Sequence, residues 1–151
     1  MSPYAPLVLI VAAAFGGGLL AAQGPIFARM AIHAGGALQA GMIAFGLGFL
    51  VLLVLYLVTG GTAPKLADLK AAPGWVWFGG VIGAAMVLLS IVAVPRIGVG
   101  TFLTAAICGQ LLAAIAYDHV GAFGMPLRAI DMSKIVGAGL LLLGAYLIVR
   151  D

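Results

Sequence analysis

Side chains capable of chemistry are scarce in this sequence, and the best placed of them is Gln110. It lies in the middle of the apolar stretch 100–124. A polar group in such surroundings is costly, so its presence points to a function. The amide can hydrogen bond to a ligand or to a backbone carbonyl of a neighbouring helix, and the second use contributes only about 0.6–2 kcal/mol. Gln110 is therefore a candidate substrate-binding residue, with a helix–helix contact as the alternative.

The same stretch ends in Asp118 and His119, the one place where an acid adjoins a histidine. The pair is a candidate for proton or charge coupling. Asp118 would need burial among apolar groups, because desolvation favours the neutral acid. The alternative is that its side chain hydrogen bonds the turn that follows, at His119 to Gly121.

A second polar interruption, Gln23-Gly24-Pro25, divides the first apolar run. Proline removes a backbone donor, so the pattern predicts a kink or a break. Interrupted spans often mark transporter binding sites, although a packing kink would give the same pattern. Arg29 follows one turn later. It either extends to the membrane surface or faces a cavity, where it would favour an anionic substrate and serve in charge coupling.

The composition indicates an integral membrane protein. Of the 151 residues, 65% are hydrophobic and 7% charged, against about 25% charged in a typical soluble domain. With no base beside a nucleophile, no metal-ligand cluster and no basic patch, we expect no enzyme activity, metal, cofactor or nucleic-acid partner. We expect the single cysteine, Cys108, to pack in the core.

Apolar runs of about 20 residues predict an all-α, polytopic protein with five spans. We expect one transmembrane domain over 1–151, with an uncleaved first helix. Its spans are predicted at about 5–32, 37–59, 75–94, 100–118 and 134–149. The segments 33–36, 60–74 and 122–132 are predicted to be loops, Pro95 to Gly98 is predicted to end the third span, and Ser133 is a candidate cap for the last helix.

The basic residues are almost evenly divided between the two membrane sides. If the spans alternate, four lie on one side and three on the other; these are Lys65, Lys70, Arg128 and Lys134, against Arg29, Arg96 and Arg150. So small a bias permits insertion in both orientations. Two opposed copies would recreate the inverted repeat on which many transporters are built.

Several segments resemble one family in the same order along the chain. They are Gln23-Gly24-Pro25-Ile26, Trp75-Val76-Trp77-Phe78-Gly79-Gly80, Val94-Pro95-Arg96-Ile97-Gly98, Gly109-Gln110-Leu111-Leu112 and Asp118-His119-Val120-Gly121-Ala122-Phe123-Gly124. The chain resembles the YdcZ-like family of inner-membrane exporters, within the drug/metabolite transporter superfamily. The resemblance covers nearly the whole chain and is most specific between Pro73 and Gly124. One departure is Phe27, where that family usually has asparagine.

The resemblance implies a bacterial inner-membrane location and an antiparallel dimer, formed by one chain or by two homologous chains. We therefore expect half of an inverted-repeat transporter that exports a small organic molecule by alternating access within the membrane lipid. Its substrate site would use Gln23, Gly24, Pro25 and Gln110. The alternative is a membrane subunit that does not transport but stabilises a partner protein.

Overall fold

A computed structural model describes residues 5–150 of the chain. That part is built from six α-helices and two short 3-10 turns. The helices are α1 (Ala5–Ala34), α2 (Ala37–Val58), α3 (Leu66–Ala71), α4 (Phe78–Ile97), α5 (Val99–Val120) and α6 (Met132–Val149), and the turns are Gly74–Trp77 and Ala122–Gly124. No strand occurs in these residues.

Five helices are long and apolar enough to cross a membrane, as the sequence predicts. They cover Leu7–Ala34, Ala37–Val58, Gly74–Ile97, Val99–Val120 and Met132–Val149. Their apolar side chains are largely exposed, because lipid, and not protein, is the medium that surrounds them. The all-α polytopic fold is confirmed.

The chain forms two compact units, one up to Arg96 and one from Ile97 onward. In the first unit, glycines allow the helices to approach closely. Gly41 of α2 is buried against Leu88 of α4, and a Cβ atom built at Gly41 would lie 3.1 Å from the Leu88 Cδ2 atom. Ala40 is fully buried beside it. Small residues at these positions bring helix backbones together and increase van der Waals contact.

The break predicted at Pro25 does not occur, because α1 runs without interruption from Ala5 to Ala34. Proline normally disfavours helical geometry in the preceding residue through contacts with that residue's Cβ atom. Here the preceding residue is Gly24, which has no Cβ atom. The helix also keeps its other backbone hydrogen bonds, and a membrane has no water to replace them.

Three segments predicted to be loops or to end a span contain further helix. His33 belongs to the last turn of α1. The long loop contains α3, in which Asp68 lies in the first turn and Lys70 in the last, so both charges are favourably placed toward the helix dipole. The third span continues through Pro95 and Arg96 to Ile97, since a proline near a helix end removes only its own donor.

The second unit is an antiparallel pair, α5 and α6, joined by a hydrogen-bonded loop. Helix α5 ends at Gly121, whose φ of 63° lies in the left-handed region that glycine adopts at helix ends. The predicted cap of α6 at Ser133 is wrong. Asp131 is the cap, and its Oδ1 atom accepts a hydrogen bond from the Lys134 backbone N–H at 2.8 Å. A residue two positions inside the helix start cannot make this contact in the same way.

Candidate functional site

In the first unit, the Gln23-Gly24-Pro25 segment presents one residue to the protein and two to the outside. Gly24 is buried, and a Cβ atom built there would lie 3.0 Å from the Val94 Cγ2 atom of α4. Gln23 and Pro25 are both exposed. Gly24 is therefore a packing contact between α1 and α4, while the Gln23 amide is available to a ligand.

Phe27 lies on the same side of α1 as Gln23, because residues four apart are neighbours on a helix surface. Its side chain is half-buried, whereas Gln23 is exposed. An apolar ring thus adjoins the amide at the position where the resembling family usually has asparagine. Any ligand at Gln23 would meet an apolar surface there and not a second amide.

Ser90 is the buried polar side chain nearest to this segment. A Cβ atom at Gly24 would lie 3.9 Å from the Ser90 Cβ atom. The Ser90 hydroxyl donates to the Val87 carbonyl in its own helix at 2.7 Å. This bond satisfies the donor within α4, so Ser90 contributes to packing beneath Gly24.

Arg29 is exposed and lies five residues before the end of α1, about 7.5 Å along the helix axis. An arginine side chain is long enough to reach the membrane surface from that depth. On α1 it is about 140° around the axis from the buried Gly24, since successive residues are about 100° apart. It points away from the contact with α4.

In the second unit, Gln110 is exposed on the face of α5 that is turned away from α6. Thr104, Ala105 and Cys108 line a groove between the two helices. Gln110 follows Cys108 by two residues, or about 200° around the helix. Gln110 therefore lies on the side of α5 that is turned away from this groove.

Asp118 contributes its backbone, and not its side chain, to the loop after α5. Its carbonyl accepts from the Arg128 N–H at 2.7 Å and from the Gly121 N–H at 3.4 Å. Among the described residues, the half-buried Asp118 carboxylate has no hydrogen-bond partner. The expected side-chain bond to the turn is therefore absent there.

The His119 ring makes a hydrogen bond with the segment of the same loop that returns toward α6. Its Nδ1 atom accepts a hydrogen bond from the Ile130 backbone N–H at 3.3 Å. An acceptor at Nδ1 requires a free lone pair there, so the ring hydrogen of the neutral form is on Nε2. The ring is exposed. His119 thus has a structural contact that the sequence does not reveal.

Lys134 and an aromatic pair complete the loop. The Lys134 ammonium group donates to the carbonyls of Arg128 at 3.3 Å and Ala129 at 2.8 Å. Tyr117 and Phe123 meet edge to face with ring centroids 5.2 Å apart, a favoured aromatic geometry. Between residues 5 and 150, no group of three or more metal-ligating side chains occurs.

One known protein family covers nearly the whole of the described chain. The profile described as "Putative inner membrane exporter, YdcZ" matches residues 8–147. The chain belongs to this family. The resemblance drawn from the motifs is confirmed, and with five apolar helices the protein is a multi-pass inner-membrane protein.

One curated relative of the YdcZ family is similar in sequence. It is "Inner membrane protein YdcZ" of Escherichia coli (strain K12), which is 33% identical over 76 residues. The aligned part covers 50% of this chain and 50% of that protein, so the chain spans about half the length of the relative it matches. No solved structure matches.

Proposed function

We propose that this chain is one half of a membrane exporter for a small organic molecule, and that it works as an antiparallel dimer by alternating access. It acts without a cofactor or metal and is not an enzyme. The family to which the chain belongs is described as an inner-membrane exporter, which supports a function in transport. The dimer consists of two copies of this chain or of this chain and a homologous partner.

The observation that carries the proposal is an odd number of spans combined with a balanced charge distribution. Five spans put the two chain ends on opposite sides of the membrane. Within the first unit, Arg96 lies near the end of α4, at the end of that helix opposite to the loop that contains Lys65 and Lys70. In the second unit, Arg150 follows the last turn of α6. Four basic residues against three is a weak orientation signal. Two opposed copies then supply the symmetry that alternating access uses.

The exposure of the two intramembrane amides supports the same proposal. Gln23 and Gln110 are both uncovered within the chain. Lipid tails offer an amide no hydrogen bonds, so each needs a polar partner in the working assembly. A substrate or a second subunit can supply one. We propose Gln23, Gly24, Pro25 and Gln110 as the substrate-binding segments, with Gly24 acting by holding α1 against α4.

We propose a role in proton or charge coupling for Asp118, His119 and Arg29. The Asp118 carboxylate is half-buried and has no partner within residues 5–150. It is therefore the acid that we propose for coupling. His119 would act through the loop that both residues hold, and Arg29 through its charge near the end of α1.

Orientation of the C-terminus in cells tests the dimer. Paired reporters, one active only in the cytoplasm and one only outside it, are fused after Asp151. Signal from both reporters is expected for a dual-topology chain. Adding two lysines to the loop that contains Lys65 should then drive one orientation and abolish one signal. Signal from a single reporter in the unaltered chain would refute the homodimer and require a partner of opposite orientation.

Export itself is tested by comparing the small molecules released by cells with and without the chain. Cells that express it should release at least one compound faster, and the release should stop in the single-orientation lysine variant. An unchanged profile in the presence of any homologous partner would instead favour a stabilising subunit.

A further inference from the structure

The α5–α6 groove is a cavity of about 370 Å³ that opens on the surface of the second unit. It is lined by Thr104, Ala105, Cys108, Leu142, Ala145, Tyr146, Val149 and Arg150. The groove exists because two of its lining residues have small side chains: Ala105 on α5 and Ala145 on α6. From Leu142 to Arg150 the groove follows eight residues of α6, or about 12 Å. It is thus a slot that runs from a membrane surface toward the interior.

The inner part of this groove is apolar. Cys108 is buried at 8% exposure, and Leu142 and Ala145 line the same space. An apolar slot in a membrane is filled by a hydrocarbon chain at little cost, since the chain is as apolar as the lining. The groove therefore fits part of one acyl chain along its length.

The outer end of the groove has the opposite character. Arg150 is exposed just beyond the last turn of α6. Its guanidinium group has no ion pair or hydrogen bond with any described residue, and the same holds for the hydroxyls of Thr104 and Tyr146. Guanidinium binds phosphate with two parallel hydrogen bonds. The free donors at one end and the apolar slot below them match the two parts of a phospholipid.

We propose that the α5–α6 groove is a binding site for an anionic phospholipid, with one acyl chain in the slot and the headgroup phosphate on Arg150. The charge of Arg150 makes an anionic lipid preferred over a zwitterionic one, because basic residues near a membrane surface each gain about 1 kcal/mol from anionic lipid. This site is distinct from the face that carries Gln110, and it does not depend on the transport function.

Native mass spectrometry of the purified full chain tests the site. The probes are dioleoyl phosphatidylglycerol and dioleoyl phosphatidylcholine, which have the same tails and differ in net charge. The first should be retained about five-fold more than the second, as expected for about 1 kcal/mol. Arg150→Gln should remove this preference. Arg128→Gln is the matched control, since Arg128 is an exposed arginine at the other end of the helix pair, and it should leave the preference intact.

A second variant tests the slot itself. Ala145→Leu fills the groove and should lower the retention of both lipids, while Leu147→Phe adds bulk outside the groove and should not. Circular dichroism confirms that each variant remains helical. Asp151→Asn, which removes a negative charge next to Arg150 in the sequence, should increase phosphatidylglycerol retention.

Three results would overturn the proposal. One is equal retention of the two lipids by the unaltered chain. Another is an equal effect of Arg128→Gln and Arg150→Gln. The third is an Ala145→Leu variant that keeps its lipid but changes its oligomeric mass, because the groove would then be occupied by protein.

Discussion

Gly24 and Val94 hold α1 and α4 together at a distance that leaves no room for a side chain. A Cβ atom at Gly24 would lie 3.0 Å from the Val94 Cγ2 atom, closer than such carbons normally approach. The contact lies in the Gln23-Gly24-Pro25 segment that the sequence marks as a candidate site. It explains the glycine by packing and leaves the neighbouring amide exposed.

Gly24→Ala should therefore lower the free energy of unfolding by about 1–3 kcal/mol, the usual cost of overpacking. The measurement is thermal unfolding in detergent. Gly18→Ala is the matched control, because the space around Gly18 in the same helix is open, and it should be neutral or stabilising. Adding Val94→Ala to the Gly24→Ala variant should restore much of the loss. No restoration would mean that the backbone at Pro25, and not Val94, sets the cost.

Gln110→Ala should reduce export while leaving assembly and stability unchanged, since Gln110 is exposed and does not line the groove between α5 and α6. The compound release described above is the readout, with size-exclusion chromatography as the check on assembly. Gln39→Ala, which removes another exposed amide near the start of α2, is the control and should keep full export. Unchanged export in the Gln110 variant would remove this residue from the substrate site.

His119→Phe should loosen the loop after α5, because the Ile130 N–H loses its acceptor at a cost of about 1 kcal/mol. Faster hydrogen–deuterium exchange is expected in residues 125–131. His119→Asn offers a carbonyl oxygen in place of Nδ1 and should preserve most of the protection. If both variants exchange like the original chain, the ring does not hold this loop.

Asp131→Ala should destabilise the start of α6 by about 1 kcal/mol, the usual value of a helix cap. Asp131→Ser should retain most of the stability, because serine also caps helices. Ser133→Ala should have almost no effect. Thermal unfolding and exchange at the Lys134 amide measure all three, and a larger effect at Ser133 than at Asp131 would contradict the structure.

The number of candidate spans could be predicted from the sequence because a membrane needs about 20 apolar residues per helix. Composition alone carries that information. Helical spacing also puts Gln110 about 200° around α5 from Cys108. That α6 packs on the other face, at Cys108, is a property of a residue pair far apart in sequence, and periodicity cannot supply it.

The cap of α6 and the continuity of α1 at Pro25 could not be predicted, because each depends on a single contact that residue type does not determine. Asp131 and Ser133 are both good caps, and the geometry of the loop selects the first. Pro25 predicted a kink or a break; α1 is not broken there, and the glycine before Pro25 removes the clash with a preceding Cβ atom. The proposed substrate residues and the single-domain organisation stay predictions, as do the dimer and the coupling roles of Asp118, His119 and Arg29.

The loop between α5 and α6 has a mechanical consequence. Hydrogen bonds from Arg128 and Ile130 to the end of α5, and from Lys134 back to the loop carbonyls, fix the register of the two helices. Neither helix can slide past its neighbour unless these bonds break. We therefore expect the hairpin, with Gln110 on it, to behave as one rigid piece. In the proposed alternating access, the bending would then fall outside the loop between α5 and α6.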